Sequence, residues 1–467
     1  MSGRSTSMGH LPRSSKIIGT ALLLTFGSGF GSRSSLAADI GGSVEACLKS
    51  AIDPATQHVE EEWLPGNARA SVRHEGMPPV EGFSPPPAYR AAMAAAGQPL
   101  REVGNYVPEY PPFVDPATFI DHGRLFGPDA VFDAQFNLTA FVARDPRDGK
   151  QKIYMVKRGE KNLPDATWKR MSLPYLAVSE DGVHFENLGL EPWFKPTDDF
   201  EKAGGIEDCR YADLRLQPFI DPRDGKSFDG AIVYTGYDGA TARVGYAVFN
   251  HENPREIRKV GLLFDPKEVR ENPLVPGNPE WNKSDSILQY REPGVGNAPG
   301  EVVNWVASGE GNRHHGGIMV FKAKGKALKW KWLKNKKPSI LAKKGTVTHG
   351  LVEPAFRPFM IKLPKWLKER TGHDKGIIVF FHGDAPPIGY SVKYAIFGLD
   401  DAAGKPIYEA EAPFMWQRDR PPSEQVEKVN FASGAVVKDG RLFIYYGIGD
   451  SYIGAVSMKV NDLLLEP

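Results

Sequence analysis

The chain has 467 residues, 41% of them hydrophobic and 25% charged, with 58 Lys+Arg against 57 Asp+Glu. This composition supports a packed core and excludes a disordered acidic chain, and the even charge balance excludes a basic surface built for nucleic acid. Only two cysteines occur, Cys47 and Cys209, and neither neighbourhood has metal-ligand spacing. The expectation is two separately buried thiols, with a disulfide as the alternative in an oxidising compartment, and no metal or other cofactor.

Residues 1–37 read as an export signal. Arg4, Arg13 and Lys16 form a positive region, Ile17 to Phe30 an apolar stretch, and Ser35-Leu36-Ala37 supplies small residues before a cleavage point. A membrane anchor is the alternative, but Gly27 and Gly29 interrupt the stretch. The mature chain is expected to start near Ala38, periplasmic or secreted, with no membrane association after cleavage. Residues 38–125 are rich in Pro, Gly and Ala, as in Pro85-Pro86-Pro87 and Pro111-Pro112, and read as an irregular N-terminal extension with one short helix at Ala88 to Gln98.

From residue 126 to 467 the chain changes to short β-branched and aromatic runs separated by turns. Five runs end in glycine, usually with an acidic residue close behind: Ile153 to Glu160, Ile232 to Asp238, Val303 to Glu310, Val379 to Asp384 and Phe443 to Asp450. Their centres, Tyr154, Val233, Trp305, Phe380 and Ile444, are spaced by 79, 72, 75 and 64 residues. The turn Asp-Pro-Arg-Asp-Gly-Lys occurs twice, at Asp145 to Lys150 and Asp221 to Lys226. A β-unit repeated at a near-constant period, each long enough for four strands, predicts an all-β fold, a five-bladed β-propeller; a two-sheet sandwich is the alternative. Helical periodicity is confined to Pro364 to Arg370. In a propeller the innermost strands line a central channel, so polar residues on the first and second strands of each unit are the ones to weigh. The basic run Lys322 to Lys344 reads as a solvated outer strand and turn, with an anionic partner as the alternative.

The densest polar cluster is Gly204-Gly205-Ile206-Glu207-Asp208-Cys209-Arg210, opening the second unit. Adjacent carboxylates near a channel axis are costly unless they bind something. An arginine two residues after Asp208 projects to the same side of a regular strand and keeps the carboxylate ionised. An ion-pair brace between units is the competing reading. At this point the sequence resembles glycoside hydrolase family 130, the β-mannoside phosphorylases and hydrolases, whose Glu-Asp-Pro-Arg segment Glu207-Asp208-Cys209-Arg210 matches at three of four places. The likeness continues in register through Leu176 to Phe185, Val233 to Gly239 with Ala242-Arg243, Trp281-Asn282-Lys283-Ser284-Asp285, and Asn430 to Val436 leading to Tyr445 to Asp450.

That resemblance implies an oligosaccharide or glycoside substrate and assigns Asp208 as the general acid. Glu353 is the candidate base, because Gly350 to Arg357 in the fourth unit repeats the glycine, acid, arginine layout of the second; an ion pair with Arg357 is the alternative. An inverting pair leaves roughly 6.5–9.5 Å between carboxyl groups for a water. Substrate-binding candidates are Glu207, Arg210, Arg158, Tyr237, Asp238, Arg243, Lys283, His382 and Asp450; His382 reads equally as a core histidine. The family's phosphorylases carry a His-Arg pair in the third unit, where this chain has Ser308-Gly309 and then Arg313-His314-His315. Hydrolysis is therefore preferred to phosphorolysis, with a non-catalytic glycan-binding propeller as the reading from another class.

Overall fold

The computed structural model describes residues 108–465 except 163–169, 276–277, 293–299, 313–315, 325, 333–336, 344–345, 347, 349, 386–388, 400–403, 417–423 and 427. Residues 1–37, read as an export signal, most of the extension, Cys47, Arg313, His314 and His315 lie outside the described residues. Among the described residues the fold is all-β, with two short α-helices, Pro266–Glu271 and Lys365–Thr371, and a 3-10 turn, Asp199–Glu201, among the strands. The second sits where the sequence predicts it, with Pro364 at its N-cap and Gly372 in the left-handed region (φ 76°) ending it.

The strands fall into five successive antiparallel units. Unit 1 comprises β2 (Ala134–Arg144), β3 (Gln151–Asn162) and β4 (Arg170–Ser179), and unit 2 β5 (Gly205–Asp213), β6 (Gly230–Tyr237), β7 (Ala242–Asn250) and β8 (Asn253–Leu262). Unit 3 is β9 (Ser286–Arg291), β10 (Val302–Ser308) and β11 (Met319–Lys324), and unit 4 is built on β12 (Leu351–Pro354), β13 (Lys375–Ala385) and β14 (Gly389–Gly398). Unit 5 is β15 (Asn430–Lys438), β16 (Arg441–Ile448) and β17 (Tyr452–Val460). Each apolar run singled out in the sequence is the second strand of its unit.

Why those runs are apolar throughout is visible in their packing. Along β3, Ile153 and Met155 join Tyr445 and Ala455 of unit 5, whereas Tyr154 and Val156 join Tyr211 and Tyr234 of unit 2. Along β13, Ile377, Val379 and Phe381 pack toward Trp305 of unit 3, while Ile378 and Phe380 pack toward Ile444 of unit 5. Side chains alternate along a strand, so both faces of each second strand are buried, one against the preceding unit and one against the next. Residues of units 5 and 1 share a hydrophobic cluster, as those of consecutive units do.

One boundary differs from expectation. Val114–Phe126 (β1), assigned by the sequence to the irregular extension, is a strand pairing antiparallel with β17, so unit 5 is completed by a segment that precedes unit 1. Pro116 and three shifts of register disguise it; an outer edge strand tolerates both. The repeated turn is also real. In each copy the aspartate carboxylate clamps the arginine two residues on, Asp145 with Arg147 and Asp221 with Arg223.

Candidate active site

The first strands converge, and three share a local defect. Register slips between Phe136 and Thr139 in β2, between Glu207 and Arg210 in β5, and between Ala432 and Gly434 in β15. Asn137 (φ 37°) and Asp208 (φ 47°) occupy two of these bulges in the left-handed region, and Ser284 (φ 57°) adopts the same conformation just before β9. A side-chain-bearing residue costs about 1–2 kcal/mol there. Such bulges re-aim a side chain, and here they bring polar groups of different units together. The start of β5 is pinned by glycine: a Cβ on Gly205 (φ 82°) would stand 2.2 Å from the Ser172 carbonyl oxygen.

Asp208 Oδ1 accepts from Asn137 Nδ2 at 2.9 Å and from Arg158 at 3.1 Å, and Lys283 Nζ lies 3.4 Å from Oδ2. Arg158 also donates to Glu160 (2.7 Å) and to the Ser172 hydroxyl (2.9 Å), and lies 3.4 Å from Glu207. Lys283 reaches the other way to Glu353 Oε1 at 3.6 Å, where the Ser284 hydroxyl also donates. With Lys283 between them, Asp208 Oδ2 and Glu353 Oε1 lie within 7.0 Å of each other. Both carboxylates are almost wholly buried.

Their electrostatics diverge. Burial favours a proton on Asp208, but Lys283, Arg158 and Arg210 outweigh it and hold the carboxyl well below the usual range. On Glu353 burial prevails over Lys283, and Glu310 and Asp208 add to it, pushing the group up to about 7. Asp450 is likewise raised to about 7 by burial, against the pull of Arg158, and burial also raises Glu207. His382 is the direct cross-strand partner of Glu353, fully buried, with its ring stacked on Phe431 at 4.2 Å. Burial and the neighbouring Arg210 keep that imidazole neutral.

The structure thus gathers Asp208, Glu353, Glu207, Arg158, Lys283, His382 and Asp450. Arg210 departs from its expected role. The bulge breaks the alternation that would have aligned it with Asp208, and its guanidinium donates instead to the carbonyls of Asp208 (2.9 Å), Cys209 (3.3 Å), Pro354 (3.2 Å) and Ala355, beneath the Phe431 ring. It braces units 2, 4 and 5 and acts on the Asp208 carboxyl only through its charge. Arg243 pairs with Asp238 and with Glu280 rather than with the carboxylate pair, and Tyr237 donates to the Gly239 carbonyl at 2.9 Å. Glu353 is held by Ser284 and Lys283, while Arg357 lies over Phe359. Cys209 is a buried free thiol pushed up to about 12. Asn137, Glu160, Ser172 and Ser284 were missed; Asn137, a polar residue between Phe136 and Leu138 in a first strand, carried a usable signal.

Asp285, beside this cluster, is 1% exposed, and burial raises its carboxyl to about 8, opposed by Ser308 and Arg210. The folded chain therefore keeps a proton that the unfolded chain loses near pH 4, so this residue subtracts stability as pH rises from about 4 to about 8. Asp285→Asn should flatten that fall relative to the parent, by about 1.4 kcal/mol per pKa unit of difference. Denaturant unfolding of both proteins at pH 5 and pH 8 checks it; parallel changes would refute the buried-acid account.

No family model matches the sequence, and no curated protein matches it. Solved structures do. A glycosyl hydrolase from Bacteroides ovatus is 19% identical with a TM-score of 0.51, over 86% of this chain and 98% of that one. A protein of Bacteroides thetaiotaomicron assigned as a glycosidase is 21% identical with a TM-score of 0.52, over 72% and 94%. A third, from work on the glycoside hydrolase family 130 of mannoside phosphorylases and its hydrolases that target β-1,2 mannosidic linkages in Candida mannan, is 20% identical with a TM-score of 0.53, over 76% and 99%.

Proposed function

From the premise that the chain has the fold of glycoside hydrolase family 130, we propose that it is an exported, inverting glycoside hydrolase acting on a β-mannoside or related glycan at the centre of a five-bladed β-propeller. The series of five units, with units 5 and 1 sharing a hydrophobic cluster, supports the propeller, and the basic and apolar stretches of residues 1–37 support export. One observation carries the chemistry: two buried carboxylates from units 2 and 4, Asp208 and Glu353, face each other within 7.0 Å across Lys283. The upper part of that bound is the spacing at which an inverting pair leaves space for a water between sugar and base.

With Asp208 held low and Glu353 raised to about 7, a proton shared by the pair sits on Glu353, which is the arrangement an inverting enzyme reaches after a turnover. Lys283 is the strongest of the groups depressing Asp208. A sugar hydroxyl that displaces Lys283 from Asp208 raises that carboxyl and moves the proton to the side where the leaving oxygen needs it. Glu353, then ionised beside Lys283, takes a proton from water as it attacks the anomeric carbon.

Water is favoured over phosphate as acceptor on charge. Glu160, Glu207, Asp208, Glu353 and Asp450 surround Arg158 and Lys283, and the nearby Arg210 is committed to carbonyls. A phosphate dianion would enter a site already rich in carboxylates. Incubation of β-manno-oligosaccharides with and without phosphate tests this: free sugar at a phosphate-independent rate is expected, and a sugar 1-phosphate formed in proportion to phosphate overturns it.

A further inference from the structure

We infer that Trp281, standing against Tyr237 at the edge of the carboxylate cluster, is the wall of a further sugar subsite beyond the two sugars that flank the cleaved bond, so that the substrate is an extended oligosaccharide. This rests on the proposed glycan-acting reading.

The two aromatic rings meet edge to face with centroids 6.4 Å apart, and the indole is only partly buried. Tyr237 opposes Gly205 in the β5–β6 register, two residues from Glu207, and a Cβ on Gly204 would touch both the Tyr237 Cβ (3.0 Å) and Glu207 Oε1 (3.1 Å). The aromatic pair therefore begins where the carboxylate cluster ends. From the other side, Trp281 precedes Lys283 by two residues, a span of at most about 7 Å between their backbones.

The wall is held stiffly. Asn278 bonds Thr241 (3.1 Å) and the Ala240 carbonyl (2.9 Å), the Trp281 backbone amide donates to the Asn278 carbonyl (3.0 Å), and the Asn282 backbone amide to the Ala242 carbonyl (3.0 Å). Glu280, next to Trp281, is clamped by Arg243 and Arg270. Asp238 and Arg243 thereby gain a role that the sequence placed at the sugar itself: they fix the strap that carries the indole. A large aromatic face left partly open while its backbone is tied down on both sides suits the apolar face of a sugar ring, and its N–H a hydroxyl.

The test compares the parent chain with Trp281→Ala and Trp281→Phe on β-manno-oligosaccharides of two to five residues. The fall in kcat/KM for Trp281→Ala should grow with chain length, reaching about tenfold more for the tetrasaccharide than for the disaccharide, with Trp281→Phe recovering much of it. A loss equal at every length, or no loss, overturns the subsite. Calorimetric binding of the same sugars to Asp208→Asn, with and without Trp281→Ala, separates this from the function itself. If nothing is cleaved with or without phosphate, the hydrolase reading fails, yet length-dependent binding that Trp281→Ala removes upholds the subsite, and absence of binding overturns it.

Discussion

Asp208→Asn is expected to lower turnover by roughly 10²–10⁴-fold while the chain still folds and still binds glycan. The separation of the two effects follows from the contacts. Breaking a buried ion pair costs about 3–5 kcal/mol when it strands a charge, but here no cation is stranded. Arg158 retains Glu160 and Glu207, and Lys283 retains Glu353, which ionises more readily once the Asp208 charge that raises it is gone. Asparagine also keeps the shape, and Asp and Asn are among the residues that best tolerate the left-handed conformation at position 208. Steady-state kinetics and thermal unfolding of the same preparation decide it. A folded variant with near-normal turnover removes Asp208 from the chemistry. A variant that fails to fold makes the cluster a brace between units, the competing reading of its sequence.

The contrast between Asp208 and Arg210 shows where sequence reasoning reaches its limit. The five second strands were legible because burial on both faces demands unbroken apolar runs, and Tyr154, Val233, Trp305, Phe380 and Ile444 all sit in them. The chemistry-bearing segment was legible from adjacent Glu207 and Asp208, since two neighbouring carboxylates in a buried strand need cationic partners. What could not be read was direction. A single extra residue in β5 sends Asp208 toward Arg158 and Lys283 and leaves Arg210 among the carbonyls of Pro354 and Ala355. Nothing in a one-dimensional pattern marks a bulge when no glycine occupies it. Ser284 escaped for a similar reason: its partner Glu353 lies in another unit, 69 residues away. β1 escaped because Pro116 and Gly123 are poor strand residues that an outer edge accommodates.

Glu353→Gln is expected to slow hydrolysis by a factor on the order of 10³ without loss of glycan binding, because the amide keeps the Ser284 and Lys283 environment but takes no proton from water. Azide should restore part of the rate. It is a nucleophile that needs no base: it bonds to the anomeric carbon as the glycosidic bond breaks, and the leaving oxygen takes the proton from Asp208, giving a glycosyl azide. The same anion should not rescue Asp208→Asn, whose leaving group still lacks its proton. Rescue of Asp208→Asn in place of Glu353→Gln would exchange the two roles. The pH profile gives an independent reading. The competent site holds one proton between Asp208 and Glu353, so kcat/KM should fall as pH rises through about 7, where Glu353 gives its proton up. Asp450 titrates in the same range, so the fall must survive Asp450→Asn and be displaced in Glu353→Gln. A profile that keeps its fall near 7 in Glu353→Gln and loses it in Asp450→Asn would move the titrating role to Asp450 and leave Glu353 a partner of Lys283.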